Sequence, residues 1–282
     1  MPGKLLIVGT PIGNLSDLSP RAIEALKSAD TILCEDTRHT RKLLTHFGIE
    51  TPTESYHEHN EDEKAPRLIE RMEKGATLAL VSDAGMPVVS DPGYRVVRLA
   101  REHGIAIEPI PGPFAGILAL VASGLAPLPF TFLGFTPHRE GQRRDFYRRA
   151  AELGHTVIIY EAPERVIVSL EDARRAFGDA EVTMARELTK MHEEILTGTI
   201  DSVLETLGAR DSIKGEITIV LGAPVVAAAE ASQEEIAAEF KRLRDAGVRR
   251  NDAVKAIAEK FAMRKNDVYR LLLSTARANF TK

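Results

Sequence analysis

The sequence predicts an α/β protein: two α/β domains with a cleft between them, followed by a small helical domain. Three observations carry this prediction. Short apolar runs alternate with amphipathic stretches from residue 4 to about residue 222, the pattern of strands and helices in largely parallel sheets. "ASGLAPLPF", residues 122–130, sets one Gly and two Pro between a helix and a strand, a hinge that divides domain 1–122 from domain 123–225. After the Ala-rich linker "GAPVVAAAEASQ", residues 222–233, the strand pattern stops. Amphipathic stretches at 233–246, 251–262 and 265–277 then form a basic helical domain, 233–282, with Asn251 and Asn266 as helix caps.

Strands are expected near 4–9, 30–34, 52–56, 76–81, 105–110, 130–135, 155–160, 181–186, 193–198 and 215–221, with helices between most of them. The first helix is signalled by Ser19 as N-cap and Pro20 as first residue. "TRHTRKLLTHFG" ends on Gly48, which suits a C-terminal cap. "ATLALV", residues 76–81, is apolar apart from Thr77 and reads as a strand covered on both faces. It breaks into "SDAGMPVVSDPG", a shaped loop, before the helix "YRVVRLAREHG". Asp91 there either caps that helix, with Pro92 first, or faces a ligand.

The chain of 282 residues is 44% hydrophobic and 28% charged, an ordinary globular composition with room for two domains. Its one cysteine, Cys34, leaves no internal disulfide framework or Cys-rich zinc site; it reads as a small buried apolar residue, and the cytoplasm as the expected compartment. The apolar run in "MPGKLLIVGTP" is too short for a signal segment, and no run has membrane-spanning length. The net charge is −4 but uneven. Residues 241–282 hold 12 Lys and Arg against 4 Asp and Glu, a balance of +8 that leaves −12 on the rest. The C-terminal end is therefore where a polyanion would be drawn.

Six loops, all at the carboxyl ends of expected strands, concentrate the Gly, Pro, Asp, Glu and Arg of the first 222 residues, as a shared ligand cleft requires. "VGTPIGNLSDLSP" makes a tight turn but has neither dinucleotide nor P-loop spacing. "CEDTRHTRKLL" crowds Glu35, Asp36, Arg38, His39 and Arg41, groups suited to a phosphate-bearing substrate or to Asp-Arg pairing. In "YHEHNEDE", His57, His59 and Glu61 alternate as strand neighbours would; this is a polar substrate-facing loop or, less well supported, part of a metal site. "IPGPFAGILALVASG" opens an apolar helix whose first N–H groups can hold a carboxylate. "IIYEAPERV" puts Tyr160 and Glu161, and "MARELTKMHEE" puts Arg186, Glu187 and Lys190, at further strand ends.

"TPIGNLSDLSPRA", "EDTRHTRKLL", "HEHNE", "LVSDAGMPVVSDPG", "IPGP" and "ARELTK", in this order, resemble the ribosomal RNA small subunit methyltransferase I family, of the tetrapyrrole-methylase-like class III S-adenosylmethionine methyltransferases. The C-terminal "RKNDVYRLLL" resembles that family's helical tail, and Met86 departs from it where Thr is commoner. The resemblance implies two α/β domains of the tetrapyrrole-methylase type with S-adenosylmethionine in the cleft, usually in a homodimer. It also implies methylation of a cytidine ribose 2′-hydroxyl in the decoding region of 16S rRNA. By the same match, Pro11, Asp83, Ala84, Gly85, Met86, Pro87, Pro113, Phe114, Ala115, Tyr160, Glu161, Ile217 and Thr218 are the expected cofactor neighbours. Lys190, its pKa lowered by partial burial, or Glu187 is expected to take the hydroxyl proton. Arg38, Arg41 and Arg165, with Arg249, Arg250 and Lys265 in the tail, are expected on the RNA backbone, and no metal is expected. The competing readings are methylation of a tetrapyrrole or other small acceptor, a non-enzymatic RNA-binding module, and a metal-dependent hydrolase built on "HEHNE".

Overall fold

The protein is described by a computed structural model covering residues 3–225, 233–261, 265, 268–270 and 272. The chain forms two compact units, Met1–Pro224 and Val225–Lys282. Among the described residues no helix is long and apolar enough to cross a membrane.

The first unit holds two five-stranded sheets. In the first, β1 (Lys4–Val8), β2 (Thr31–Cys34), β3 (Thr53–Ser55), β4 (Thr77–Leu80) and β5 (Ala106–Ile110) are all parallel, in the order β3-β2-β4-β1-β5. Their alternate residues feed two cores. Leu6, Val8, Ile32, Cys34 and Ala79 pack with Leu26 of α1 (Pro20–Ser28) and Leu44 of α2 (Thr37–His46). Leu5, Ile7, Leu33, Leu78 and Leu80 pack with Leu68 and Met72 of α3 (Glu61–Glu73) and Val96 of α4 (Tyr94–Glu102). Cys34 is the buried apolar residue that its sequence context indicates. Ser19 caps α1 by accepting the Ala22 N–H at 3.1 Å, with Pro20 first in the helix.

The second sheet departs from the expected largely parallel arrangement. It comprises β6 (Phe130–Phe135), β7 (Thr156–Glu161), β8 (Glu181–Arg186), β9 (Glu194–Thr199) and β10 (Ile217–Leu221), in the order β6-β7-β10-β8-β9. Only β6 and β7 are parallel; the other three pairs are antiparallel. For β8 and β9 the cause is connection length: residues 187–193 join them as a hairpin, too short for a parallel crossover. One face is covered by α6 (Glu140–Ala151), α7 (Val166–Phe177) and α8 (Ile200–Gly208) through Tyr147, Leu170, Phe177, Val203 and Leu207. The other is covered by α5 (Ala115–Ser123), which precedes the expected hinge yet packs through Ala119 and Leu120 against Ile158, Ala185 and Val220. Between α6 and α7, Asp172, 2% exposed, accepts from Arg143 at 2.9 Å, from Arg144 at 3.1 Å and from Arg175.

In the second unit, α9 (Gln233–Asp245) and α10 (Arg250–Lys260) share a core of Ile236, Val254, Ile257, Ala258 and Val268. Asn251 does not cap: it lies inside α10, where its side chain accepts the Tyr269 hydroxyl at 2.6 Å. Asn266 lies outside the described residues.

Candidate functional site

β1 and β4 are neighbours, but their chains leave for helices on opposite faces of the sheet, α1 and α4. That makes their carboxyl ends the switch point where open α/β sheets bind ligands. The two loops are tied together by backbone: the Thr10 N–H donates to the Gly85 carbonyl at 2.9 Å and the Gly85 N–H to the Thr10 carbonyl at 3.0 Å. The Thr10 hydroxyl adds a bond to the Ser82 carbonyl at 3.1 Å. Gly85 holds this pairing at φ +83°, a conformation open to glycine at little cost. Beneath it the loop after β5 crosses so closely that a Cβ on Gly9 would lie 2.5 Å from the Gly112 Cα and 2.7 Å from the Met86 sulfur.

Strain collects in the same loop. Val88 and Ser90 have φ +78° and +67°, which for a β-branched side chain such as valine is a marked outlier held only by its surroundings. Asp91 is not a cap, since the N-cap of α4 is Gly93. Its side chain instead lines the cleft, where burial, then Glu35 and Asp83, push its pKa up to about 6.

The second sheet meets these loops with the ends of β7 and β8 and the start of β10, which the antiparallel register brings together: Ile217 pairs with both Glu161 and Arg186. Phe132 and Phe135 stand 4.9 and 5.3 Å from the Tyr160 ring, edge to face. Burial pushes the Tyr160 phenol up to about 12. Glu161, 2% exposed, is held by the Ala162 N–H at 2.8 Å, the Arg165 guanidinium at 2.6 Å and the Thr136 hydroxyl.

Two lobes result. The larger, about 350 Å³, is lined by Asp83, Ala84, Gly85, Met86, Phe114, Ala115, Tyr160, Glu161, Ile217 and Thr218, all expected cofactor neighbours. Val89, Ser90, Asp91, Phe135 and Glu216 line it too. The smaller, about 310 Å³, is lined by Pro11, Ile12, Gly13, Leu15, His39, Lys42, Leu43 and Lys190 among others, and shares Ile12, Asp83, Ala84 and Glu216 with the larger. Pro113 instead faces a separate, more open cavity with Asp17 and Thr189, and Pro87 is buried.

Lys190 does not have the lowered pKa expected of it. Burial does push the ammonium down, but Glu187 at 2.9 Å and Glu216 at 3.1 Å outweigh it, and the net direction is up. Glu187 is held below the usual carboxylate range by the Glu216 N–H and then by Lys190. Neither is a ready base.

Arg38 and Arg41 are exposed on α2, Arg38 paired to Asp36 at 3.1 Å and Arg41 touching the Thr53 hydroxyl at 3.4 Å. Arg165 is turned inward onto Glu161 and the Thr136 carbonyl, 15% exposed, so it braces the cleft from within. Arg249, Arg250 and Lys265 are exposed on the second unit, with Arg250 over the Tyr269 ring at 5.9 Å. His57, His59 and Glu61 do not alternate along a strand: β3 stops at Ser55, the two histidines fall in a turn, and Glu61 opens α3 with its carboxylate on the Gly93 N–H at 3.4 Å. Sequence reasoning missed Glu216, which precedes a strand, and Phe135, whose only signal was an aromatic at the end of a strand.

Comparisons with known proteins bear on the family and the fold. The model of the family "Tetrapyrrole (Corrin/Porphyrin) Methylases" matches residues 4–204. A protein named ribosomal RNA small subunit methyltransferase I from Streptococcus pyogenes is 42% identical over 95% of this chain and 93% of its own length. Proteins of the same name are 50% identical in Xylella fastidiosa, over 78% of this chain and 81% of that one, and 40% identical in Synechocystis, over 96% and 98%. Among solved structures, diphthine synthase superposes with a TM-score of 0.61 at 17% identity, over 78% of this chain and 90% of that one. Uroporphyrin-III-C-methyltransferase from Thermus thermophilus does so at 0.54 and 19%, over 79% and 96%. The chain is a methyltransferase of the tetrapyrrole methylase fold. It belongs to the ribosomal RNA small subunit methyltransferase I family.

Proposed function

We propose that this methyltransferase moves a methyl group from S-adenosylmethionine to the ribose 2′-hydroxyl of a cytidine in the decoding region of 16S rRNA, as a cytoplasmic homodimer. The observation that carries the reading is the pair of lobes joined at Asp83 and Glu216: one largely apolar and aromatic, the other rimmed by Lys42 and Lys190. Relatives 42% and 50% identical in sequence bear an rRNA methyltransferase name.

The larger lobe suits the cofactor. Phe135, Phe114 and Val89 offer apolar surface to an adenine, the paired backbone of the Ser82–Gly85 turn offers polar groups to the rest, and Asp83 and Asp91 supply negative charge for a cation. S-adenosylmethionine supplies a methyl group on a positively charged sulfur. The chain's residues then have two tasks. The first is alignment of acceptor and donor across the shared wall of Ile12, Asp83, Ala84 and Glu216, which supplies on the order of 7–11 kcal/mol in the best model systems. The second is removal of the hydroxyl proton. Lys190, charged and tied to two carboxylates, is a positioned cation for the developing oxyanion, and Asp83 on the shared wall, which has no ion pair among the described residues, accepts the proton. The exposed Arg38, Arg41, Arg249, Arg250 and Lys265 hold the RNA backbone without reading sequence.

The test is transfer of labelled methyl from S-adenosylmethionine to unmethylated small subunits, with mass identification of the nucleoside. 2′-O-methylcytidine is expected; cofactor binding with no transfer to RNA would point to a small-molecule acceptor. Lys190→Ala should lower kcat about 100-fold with cofactor affinity unchanged, as loss of one oxyanion-stabilising group does.

A further inference from the structure

The smaller lobe does not end at its own rim. Lys42 lines both that lobe and a groove along α2 formed with Thr37, Arg38, Arg41 and Thr45. Positions 38, 41, 42 and 45 recur at helical spacing, so the groove is one continuous face of α2. Arg38 is partly spent on Asp36, and among the described residues the one side-chain hydrogen bond of Arg41 is a long one to Thr53. Lys42 is exposed, and among the described residues no hydrogen bond or ion pair engages it. The three cavities thus form a series: groove to smaller lobe through Lys42, smaller lobe to cofactor lobe through Asp83 and Glu216.

The chemistry changes along this series. The groove presents guanidinium and ammonium groups, which suits a chain of phosphates. The smaller lobe adds apolar surface from Leu15 and Leu43, which suits the face of one base, beside the imidazole of His39. At about 310 Å³ it lies at the small end of ligand pockets, near the size of one nucleotide.

Building on the function proposed above, we propose that α2 is the track for a single-stranded RNA backbone, that one unstacked nucleotide turns from it into the smaller lobe, and that Lys42 holds the phosphate where it turns. An RNA duplex would first have to unpair and extrude that nucleotide, a cost that a single strand avoids.

The experiment uses the full chain with Lys42→Ala, Lys42→Arg and, as an equal charge loss on α1, Lys27→Ala. S-adenosylmethionine affinity is measured by calorimetry. Binding to a single-stranded decoding-region oligonucleotide is measured across a salt series, and KM on unmethylated small subunits is measured alongside. Lys42→Ala should weaken RNA binding and raise KM about tenfold, reduce the salt slope by about 1, and leave cofactor affinity unchanged. Lys42→Arg should restore most of the loss, and Lys27→Ala should do nothing. If Lys42→Ala matches wild type in RNA affinity and slope while wild type methylates the subunit, this inference fails and the rRNA reading stands. A parallel loss of cofactor affinity would also overturn it, by making Lys42 a support of the larger lobe. Wild type that binds the cofactor but never methylates RNA would overturn both.

Discussion

The two sheets of the first unit contribute to the same cleft by different means. In the all-parallel sheet every site loop leaves a strand's carboxyl end, and the loops are locked to each other by backbone pairing at Thr10 and Gly85. In the mixed sheet the site is assembled from two strand ends and one strand start, and side-chain ion pairs hold it: Arg165 on Glu161, Lys190 on Glu187 and Glu216. One half is stiffened by peptide groups and close glycine contacts, the other by charge. Their sensitivities to mutation should therefore differ in kind.

The largest effect is expected where charge is buried. Asp172→Ala leaves three guanidinium groups around an empty position and should cost about 3–5 kcal/mol, read as a lower urea midpoint. The exposed Lys4–Glu108 pair of the first half, at 2.9 Å, should give little measurable change when Glu108 becomes Ala. If the two variants were equally stable, charge would not be what holds the second half. Next comes close packing. Gly9→Ala forces apart the loops after β1 and β5 and should cost about 1–3 kcal/mol with a matching loss of cofactor affinity. Gly141→Ala, a helical glycine with nothing within 4 Å of an added Cβ, should be neutral or stabilising by up to about 1 kcal/mol. A smaller effect of opposite sign is expected at Asp91. Its carboxyl binds a proton more readily in the folded chain than unfolded, so stability falls as pH rises from about 4 through its folded value of about 6. Asp91→Asn should then raise stability at pH 7 by about 1 kcal/mol, after allowing for solvent screening, and change nothing below pH 4. A gain that persists at low pH would show that packing, not ionisation, is responsible.

This contrast also governs what could be read from the chain. β1, β4, β7 and β10 are apolar runs bounded by Gly, Pro and Asp, and the loop at Asp83–Pro87 is legible because its residues restrict the backbone locally. Glu216 was not legible, since only antiparallel pairing of β10 with β7 and β8 carries the start of a strand into the cleft. Lys190 was found as a residue but misjudged in its protonation: a pair with Glu187, three residues away, is open to sequence reading, whereas a second carboxylate converging from 216 is not. Asn251 has the right residue type for a cap, yet α10 begins one residue earlier and Tyr269 claims its side chain.

The pairing of Thr10 with Gly85 joins residues 75 apart in sequence, and its opposing wall at Ile217 and Thr218 follows only after most of the unit has been made. Contacts of such separation must wait for long loops to close. A chain emerging from synthesis would therefore pass through nearly all of its first unit with no working cofactor site. The cofactor cannot template early folding; it can only stabilise a body that has already closed, so its absence in a starved cell should leave the yield of folded protein largely unchanged while lowering its resistance to heat.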